Sequence, residues 1–259
     1  MPANGLLGAA GDHQRTLRSL NKTLTLFALL SVAALPAPAL AQAYQCAVPL
    51  VLPPLPRAEA DGPRSLAPVR ALTLAVSWSP EFCRRDSDPQ SVQCSGKYGR
   101  FGFVVHGLWP EGSGGGNSPQ WCAPAVQPSP ETVRRNLCMT PVPYLIAHEW
   151  AKHGSCIAAS PDDYFRTTHL LWDRLKWPDI DVLSRRKDLT VGDLRQEILT
   201  ANPKLRRDSI GVAVSGAPGT GGWLRELRLC YSPTLRPQPC GKYQYGPSDS
   251  TPLKIWRGI

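Results

Sequence analysis

No C-x-x-C pair occurs in this chain although it holds eight cysteines, so the local spacing of a structural zinc site is missing. The one long apolar run, Leu24 to Leu35, stops at Pro36 after about a dozen residues, short of the ~20 that cross a bilayer. The glycines between Glu111 and Pro119 lack the G-x-x-x-x-G-K-[ST] arrangement and lead into no helix signal, so this stretch reads as a flexible loop rather than a phosphate cradle. No H-E-x-x-H motif is present either. Histidine is scarce: beyond residue 43 it stands only at 106, 148, 153 and 169.

What is present begins with an export signature. Arg15, Arg18 and Lys22 precede the apolar run, and the small-residue stretch Ala39-Leu40-Ala41 follows it, so residues 1–43 are expected to be a cleaved secretory signal that leaves no membrane anchor. Lipidation is not expected, because Gln45 rather than a small residue precedes Cys46. All eight cysteines lie beyond the cleavage point, where an oxidising compartment favours four disulfides, although spacing allows on the order of a hundred pairings. A periplasmic or secreted location follows, and the lack of an N-x-[ST] sequon beyond residue 43 fits a bacterial one. The formal charge is +9; the leader's three basic residues outnumber its single Asp12 by two, leaving +7 on a mature chain suited to a polyanionic partner.

Residues 44–70 are rich in Pro and Ala and read as an extended arm, which Cys46 ties back to the body. Residues 71–259 are expected to form one domain. Leu72, Leu74 and Val76 alternate with smaller residues in a predicted strand Ala71 to Trp78, and a second strand is predicted from Phe101 to Val105. The polar loop between them invites a Cys83–Cys94 staple. Helix signals follow Pro143; Ser160-Pro161-Asp162-Asp163 supplies a cap, a first-turn proline and acids for a helix to about Trp177, and another helix is predicted from Val191 to Leu199. Strands near Ile210 to Val214 and Leu224 to Tyr231 complete an α+β pattern, a central antiparallel sheet with several helices.

Two segments concentrate the groups able to do chemistry. At about 100 degrees per residue, taking His148 as zero, Lys152 falls at about 40, Glu149 at about 100 and His153 at about 140 degrees, all on one helix face. Trp150 and Ala151 point the other way, so the expected arrangement is an amphipathic helix whose wet side carries proton-transfer and anion-contacting groups. Ordinary ion pairing on a solvated face is the competing explanation. A zinc site is disfavoured, because the i+4 position holds the cation Lys152. The other segment, Phe103 to Pro110, delivers His106 at a predicted strand end before Gly107 and Pro110.

FVVHGLWP and HEWAKHGSC together resemble the two active-site segments of the ribonuclease T2 family of secreted acid ribonucleases, in the usual order. LAVSWSPEFC upstream and the Cys230 and Cys240 pair downstream extend the likeness from roughly Leu74 to Lys242, while residues 179–209 and the arm add no motif. The resemblance implies a disulfide-bonded endoribonuclease in which His153 is the general base, His106 the general acid, Glu149 and Lys152 stabilise the phosphorane, His148 holds the phosphate and Trp109 lines the groove. It also implies Cys83–Cys94, Cys122–Cys156 and Cys230–Cys240, leaving Cys46 and Cys138 for each other.

The chemistry stands without the family. RNA carries its own nucleophile beside the phosphate, so a base, an acid and a cation suffice, and imidazoles with a lysine supply them with no metal or cofactor. The expected enzyme is a monomer that passes through a 2′,3′-cyclic phosphate to 3′-phosphate ends, binds DNA at most without cutting it, and loses activity on both sides of a pH optimum. A fold that binds RNA without cutting it is the rival reading. His169, at the edge of a helical apolar stripe, reads as a packing residue, and Trp78, Tyr98 and Trp121 read equally well as base-stacking or core aromatics.

Overall fold

The computed structural model describes residues 46–258 apart from 53, 86–87, 114–117, 125 and 217–220. The expected leader, and part of the glycine-rich loop, lie outside these. A sheet is built from β1 (Ala71–Trp78), β2 (Phe103–Glu111), β3 (Ile210–Val214) and β4 (Gly222–Tyr231) in the order β2-β1-β4-β3, all antiparallel, with the two-residue β5 (Leu253–Lys254) added parallel to the start of β4.

Alternation divides the sheet into two faces. Leu72, Leu74, Val76, Phe103, Val105, Leu108, Ile210, Val212, Leu227 and Leu229 are buried in one core with Ile146 and Trp150 of α3 (Pro143–Lys152), Tyr164 and Phe165 of α4 (Pro161–Trp172), and Leu194 and Ile198 of α6 (Val191–Ala201). Each such side chain taken from water contributes about 1.5–3 kcal/mol. Thr73, Ser77, Glu226 and Arg228 sit at the opposite parity, so the core face fixes the register and leaves a polar face for the site.

β2 is an edge strand, and its outward backbone groups are used. Val105 N–H donates to Met139 O at 2.8 Å, and Leu108 N–H donates to the Tyr164 hydroxyl at 2.9 Å. Covering this edge stops further strand pairing and brings the segment before α3, and α4 itself, against β2.

The caps explain why the helices begin where they do. Ser160 accepts from Asp163 N–H with Pro161 in the first turn of α4, and Thr190 with Asp193 forms a reciprocal capping box on α6. Several expected boundaries change. α4 ends at Trp172 rather than near Trp177, whose ring instead packs 4.4 Å from that of Phe103. Cys83 belongs to a short helix, α1 (Ser79–Arg85), instead of a loop, and α2 (Pro130–Asn136) and α5 (Ile180–Ser184) were not signalled by periodicity. Such short helices bury too few residues to repeat a 3.6-residue pattern.

Four disulfides close the chain: Cys46–Cys138, Cys83–Cys94, Cys122–Cys156 and Cys230–Cys240. The first holds the arm, which among its described residues has no helix or strand and runs back to the body through an isolated bridge between Ser65 and Gln120. Among the described residues no helix is long and apolar enough to cross a membrane.

Candidate active site

The site starts from an irregularity in β2. Ala75 pairs with Gly107 and Val76 with Val105, so His106 is an extra residue bulged out of the ladder. A bulge re-aims side chains without ending the strand. Here it turns the imidazole toward β4, where His106 Nδ1 lies 2.9 Å from Glu226 Oε2. An ionised carboxylate only accepts, so Nδ1 carries the proton and Nε2 faces away from Glu226.

Glu226 is itself held. Arg228 Nε donates to its Oε1 at 2.9 Å, and the hydroxyl of Ser77, its register partner on β1, donates to Oε2 at 3.4 Å. Burial pushes this carboxyl's pKa up, but the His106 hydrogen bond and the charges of His106 and Arg228 outweigh burial and hold it below the ordinary range. The reciprocal balance acts on His106: burial pulls the imidazole down, while the Glu226 hydrogen bond and the charges of Glu149 and Glu226 more than compensate and raise it.

α3 delivers the second group. Pro143 opens the helix, Ile146, Ala147, Trp150 and Ala151 are buried, and the helix ends at Lys152 with His153 as its C-cap before a short 3-10 turn at Gly154–Cys156. Lys152 and His153 thus sit at the negative end of the helix dipole, where positive charge is favoured. Glu149 crosses to β2 and accepts a hydrogen bond from Trp109 Nε1 at 2.7 Å. A Cβ on Gly107 would stand 1.9 Å from Glu149 Oε2, so only glycine lets this carboxyl lie over the strand.

The Glu149 carboxyl bridges two imidazoles, with Oε1 3.7 Å from His106 Nε2 and Oε2 4.0 Å from His153 Nε2. The Trp109 ring lies beside both, at centroid distances of 5.0 and 5.8 Å. Burial raises Glu149 to a pKa of about 7 against the opposing pull of His106, Trp109 and Lys152. His153 moves the other way, down to about 3, through burial first and then the positive charges of Lys152, His148 and His106. His148 is also lowered by burial, and it lies 5.5 Å from the Trp121 ring and 5.8 Å from that of Tyr144. Lys152 Nζ and His148 Nε2 both face Asp61 of the arm, at 2.8 and 3.6 Å.

A sequence model described as the Ribonuclease T2 family matches residues 69–185, which include β2, α3 and every residue just described except Asp61, Glu226, Arg228 and their link to the C-terminal strands. A "Probable ribonuclease" of Haemophilus influenzae is 34% identical over 190 residues, covering 69% of this chain and 64% of that protein. Over these residues the chain matches the ribonuclease T2 family. Its fold agrees with this match. The gametophytic self-incompatibility-associated SF11-RNase of Nicotiana alata aligns with a TM-score of 0.54 at 17% identity, over 73% of this chain and all of that one. RNase NT, solved in complex with 5′-AMP, aligns with a TM-score of 0.51 at 18% identity, over 72% of this chain and 98% of that one.

In the folded chain, His106, Trp109, His148, Glu149, Lys152 and His153 come together in one place. Two expectations about them need correction. β2 does not end at His106 but continues through Gly107 and Pro110 to Glu111, because Pro110 stands on an edge strand and pairs only with Leu72 of β1. Nor is the α3 face a wet one throughout: Glu149 is only 3% exposed, since the helix turns this face toward β2. His169 is half-exposed and lies away from this group, its Nε2 3.1 Å from Asn136 Oδ1 and its Nδ1 3.6 Å from Asp173. Trp78 fills the core and donates through Nε1 to Trp256 O, whereas Trp121 stands at the site.

The sequence reading did not single out Glu226, Gly107's role under Glu149, or Asp61. Glu226 looks like any polar residue on the outward parity of a strand, and its partner is 120 residues away. Trp121 carries a faint mark of constraint: its φ of +54 is unusual for a bulky residue, and it is held by donation of its N–H to Lys152 O at 2.7 Å.

Proposed function

We propose that this protein is an endoribonuclease that cleaves single-stranded RNA by acid–base transphosphorylation, with the positive charge supplied by Lys152 rather than by a metal ion. One observation carries the reading: His106 and His153 present Nε2 atoms to opposite oxygens of Glu149, so two proton-transfer groups flank one small space beside an ammonium. The chain spans 64% of the Haemophilus influenzae relative, and the activity proposed here is that of the chain's own site.

His153 is the base that removes the 2′-hydroxyl proton. The 2′-oxygen attacks phosphorus, the bond to the 5′-oxygen breaks, and His106 gives that oxygen its proton. The product is a 2′,3′-cyclic phosphate; water then opens it to a 3′-phosphate, with the two imidazoles exchanging roles. The opposed pKa shifts suit this division, since His106 is biased toward the protonated form and His153 toward the neutral one. A bound phosphodiester anion raises both imidazoles, bringing His153 back toward a useful basicity.

Lys152 and Glu149 stabilise the charged phosphorane, His148 holds a phosphate oxygen and Trp109 walls the groove. A well-placed donor of this kind is worth about 2.7–4 kcal/mol in the transition state. RNase NT was solved with a nucleotide, which accords with a nucleotide-sized ligand here. The reading further includes export as a monomer to the periplasm or medium, where four disulfides persist.

The test is cleavage of matched RNA and DNA by the wild type, His106→Ala and His153→Ala, each with and without EDTA. RNA cleavage that survives EDTA, spares DNA and is lost in both variants is expected. Undiminished cleavage by either variant overturns the roles, EDTA sensitivity overturns the metal-free mechanism, and RNA binding with no cleavage by the wild type favours a non-catalytic binder.

A further inference from the structure

The arm passes beside the site at Asp61. Its chain is fixed on both sides of Asp61: Cys46 is bonded to Cys138, and Ser65 and Gln120 exchange backbone hydrogen bonds of 2.9 and 3.0 Å. Arg64 donates to Cys122 O at 2.8 Å and Gln120 Nε2 to Pro63 O at 2.7 Å, while Cys122 is bonded to Cys156 just beyond His153. The segment carrying Asp61 is therefore tied to the same loop that is tied to the end of α3.

One oxygen of Asp61 then lies 2.8 Å from Lys152 Nζ and 3.6 Å from His148 Nε2. A single anionic oxygen between an ammonium and an imidazole is the contact that a phosphate oxygen would make there. We infer that Asp61 is a resident competitor for the phosphate subsite, an affinity-determining residue supplied by the arm. This rests on the proposed function only in taking Lys152 and His148 as phosphate ligands.

A phosphodiester arriving at Lys152 carries a full negative charge. It must displace the Asp61 carboxylate or bind beside it against repulsion, and either way its apparent affinity is lowered by the fraction of molecules in which the subsite is already filled. Asp61 is 49% exposed, so the ion pair is worth what exposed pairs are worth and the handicap is modest, about two- to fivefold. A carboxylate that merely braced the arm would act in the opposite direction, because its removal would loosen the site.

The experiment compares the wild type with Asp61→Asn, which keeps the shape and removes the charge. Asp181→Asn serves as a control that removes one charge from α5, where Asp181 pairs with Arg185. Calorimetric Kd values for inorganic phosphate and adenosine 3′-monophosphate are measured beside kcat/KM on an RNA oligonucleotide. Asp61→Asn is expected to tighten both ligands and raise kcat/KM by about two- to fivefold, with Asp181→Asn showing less than half that gain. Unchanged or weaker binding in Asp61→Asn, equal gains in both variants, or no phosphate binding by either protein overturns the inference. Failure of the wild type to cut RNA counts against the ribonuclease reading alone, since the phosphate measurements still decide the role of Asp61.

Discussion

Nδ1 of His106 sits 2.9 Å from Oε2 of Glu226, joining a bulged residue on the edge strand to a buried carboxylate two strands away. This contact fixes which nitrogen of the imidazole is free, and together with the charges of Glu149 and Glu226 it more than offsets burial and raises the ring's pKa. Removing the charge should therefore show in the pH dependence of the rate. His106 must be protonated to act as the acid, so the alkaline limb of the kcat/KM profile reports its deprotonation. Glu226→Gln is expected to shift that limb to lower pH and to lower the maximum by about tenfold, part of the ~10²–10⁴ that a positioned acid supplies. A uniform fall with the limb unmoved would mean that Glu226 only supports the fold. In the wild type, His153 stays neutral down to about pH 3 in the free protein, so activity should extend well into the acid range.

Glu149 makes a prediction in which activity and stability part company. Its folded pKa of about 7 lies above the ordinary carboxyl value of 4.5, so the folded state holds the proton more tightly than the unfolded one. The sign follows: stability is intact below about pH 4.5 and is lost as pH rises through about 7. Glu149→Gln cannot ionise. It should abolish most activity yet unfold at a higher temperature than the wild type at pH 8, by about 1–3 kcal/mol, with the gap closing near pH 4. Equal melting curves at both pH values would refute the burial argument.

Gly107→Ala tests the contact between strand and helix. With the new Cβ 1.9 Å from Glu149 Oε2 and 2.7 Å from Trp109 Nε1, the carboxyl and the indole must both move. Overpacking of this kind costs about 1–3 kcal/mol, and urea unfolding should show a loss of that size together with a fall in kcat/KM of at least about a hundredfold. An active Gly107→Ala enzyme would mean that Glu149 need not lie over β2.

The sequence showed most clearly those features whose cause is local. Strand alternation at Leu72, Leu74 and Val76, the Ser160 cap and the Val191 helix are written in neighbouring residues, and the structure has β1, α4 and α6 there. The two dense segments around His106 and His148 were visible for the same reason. What was not visible depends on pairing across the sheet. The bulge at His106 exists only relative to β1, and Glu226 and Asp61 gain their meaning from partners 120 and 91 residues away. Glu149 was assigned to a wet face because the helical wheel gives direction around an axis but does not say which neighbour the axis packs against.

The Cys122–Cys156 bridge joins the loop bearing Trp121 to the turn after His153. Mild reduction, or Cys122→Ala with Cys156→Ala, should lower activity before the whole molecule unfolds, and the double variant should lose about 2–4 kcal/mol of stability. Activity and circular dichroism followed together along a thiol titration check this; a single coincident loss would contradict it.

The central claim is that two imidazoles work on one phosphodiester using the hydroxyl that RNA itself provides. It is tested most directly by following a dinucleotide with a single scissile linkage, by phosphorus NMR, against the same dinucleotide lacking that 2′-hydroxyl. The account predicts that a 2′,3′-cyclic phosphate accumulates first and then decays to a 3′-phosphate, while the deoxy analogue stays intact. Cleavage of the deoxy analogue at a comparable rate, or 3′-phosphate formed with no cyclic species before it, would contradict the account.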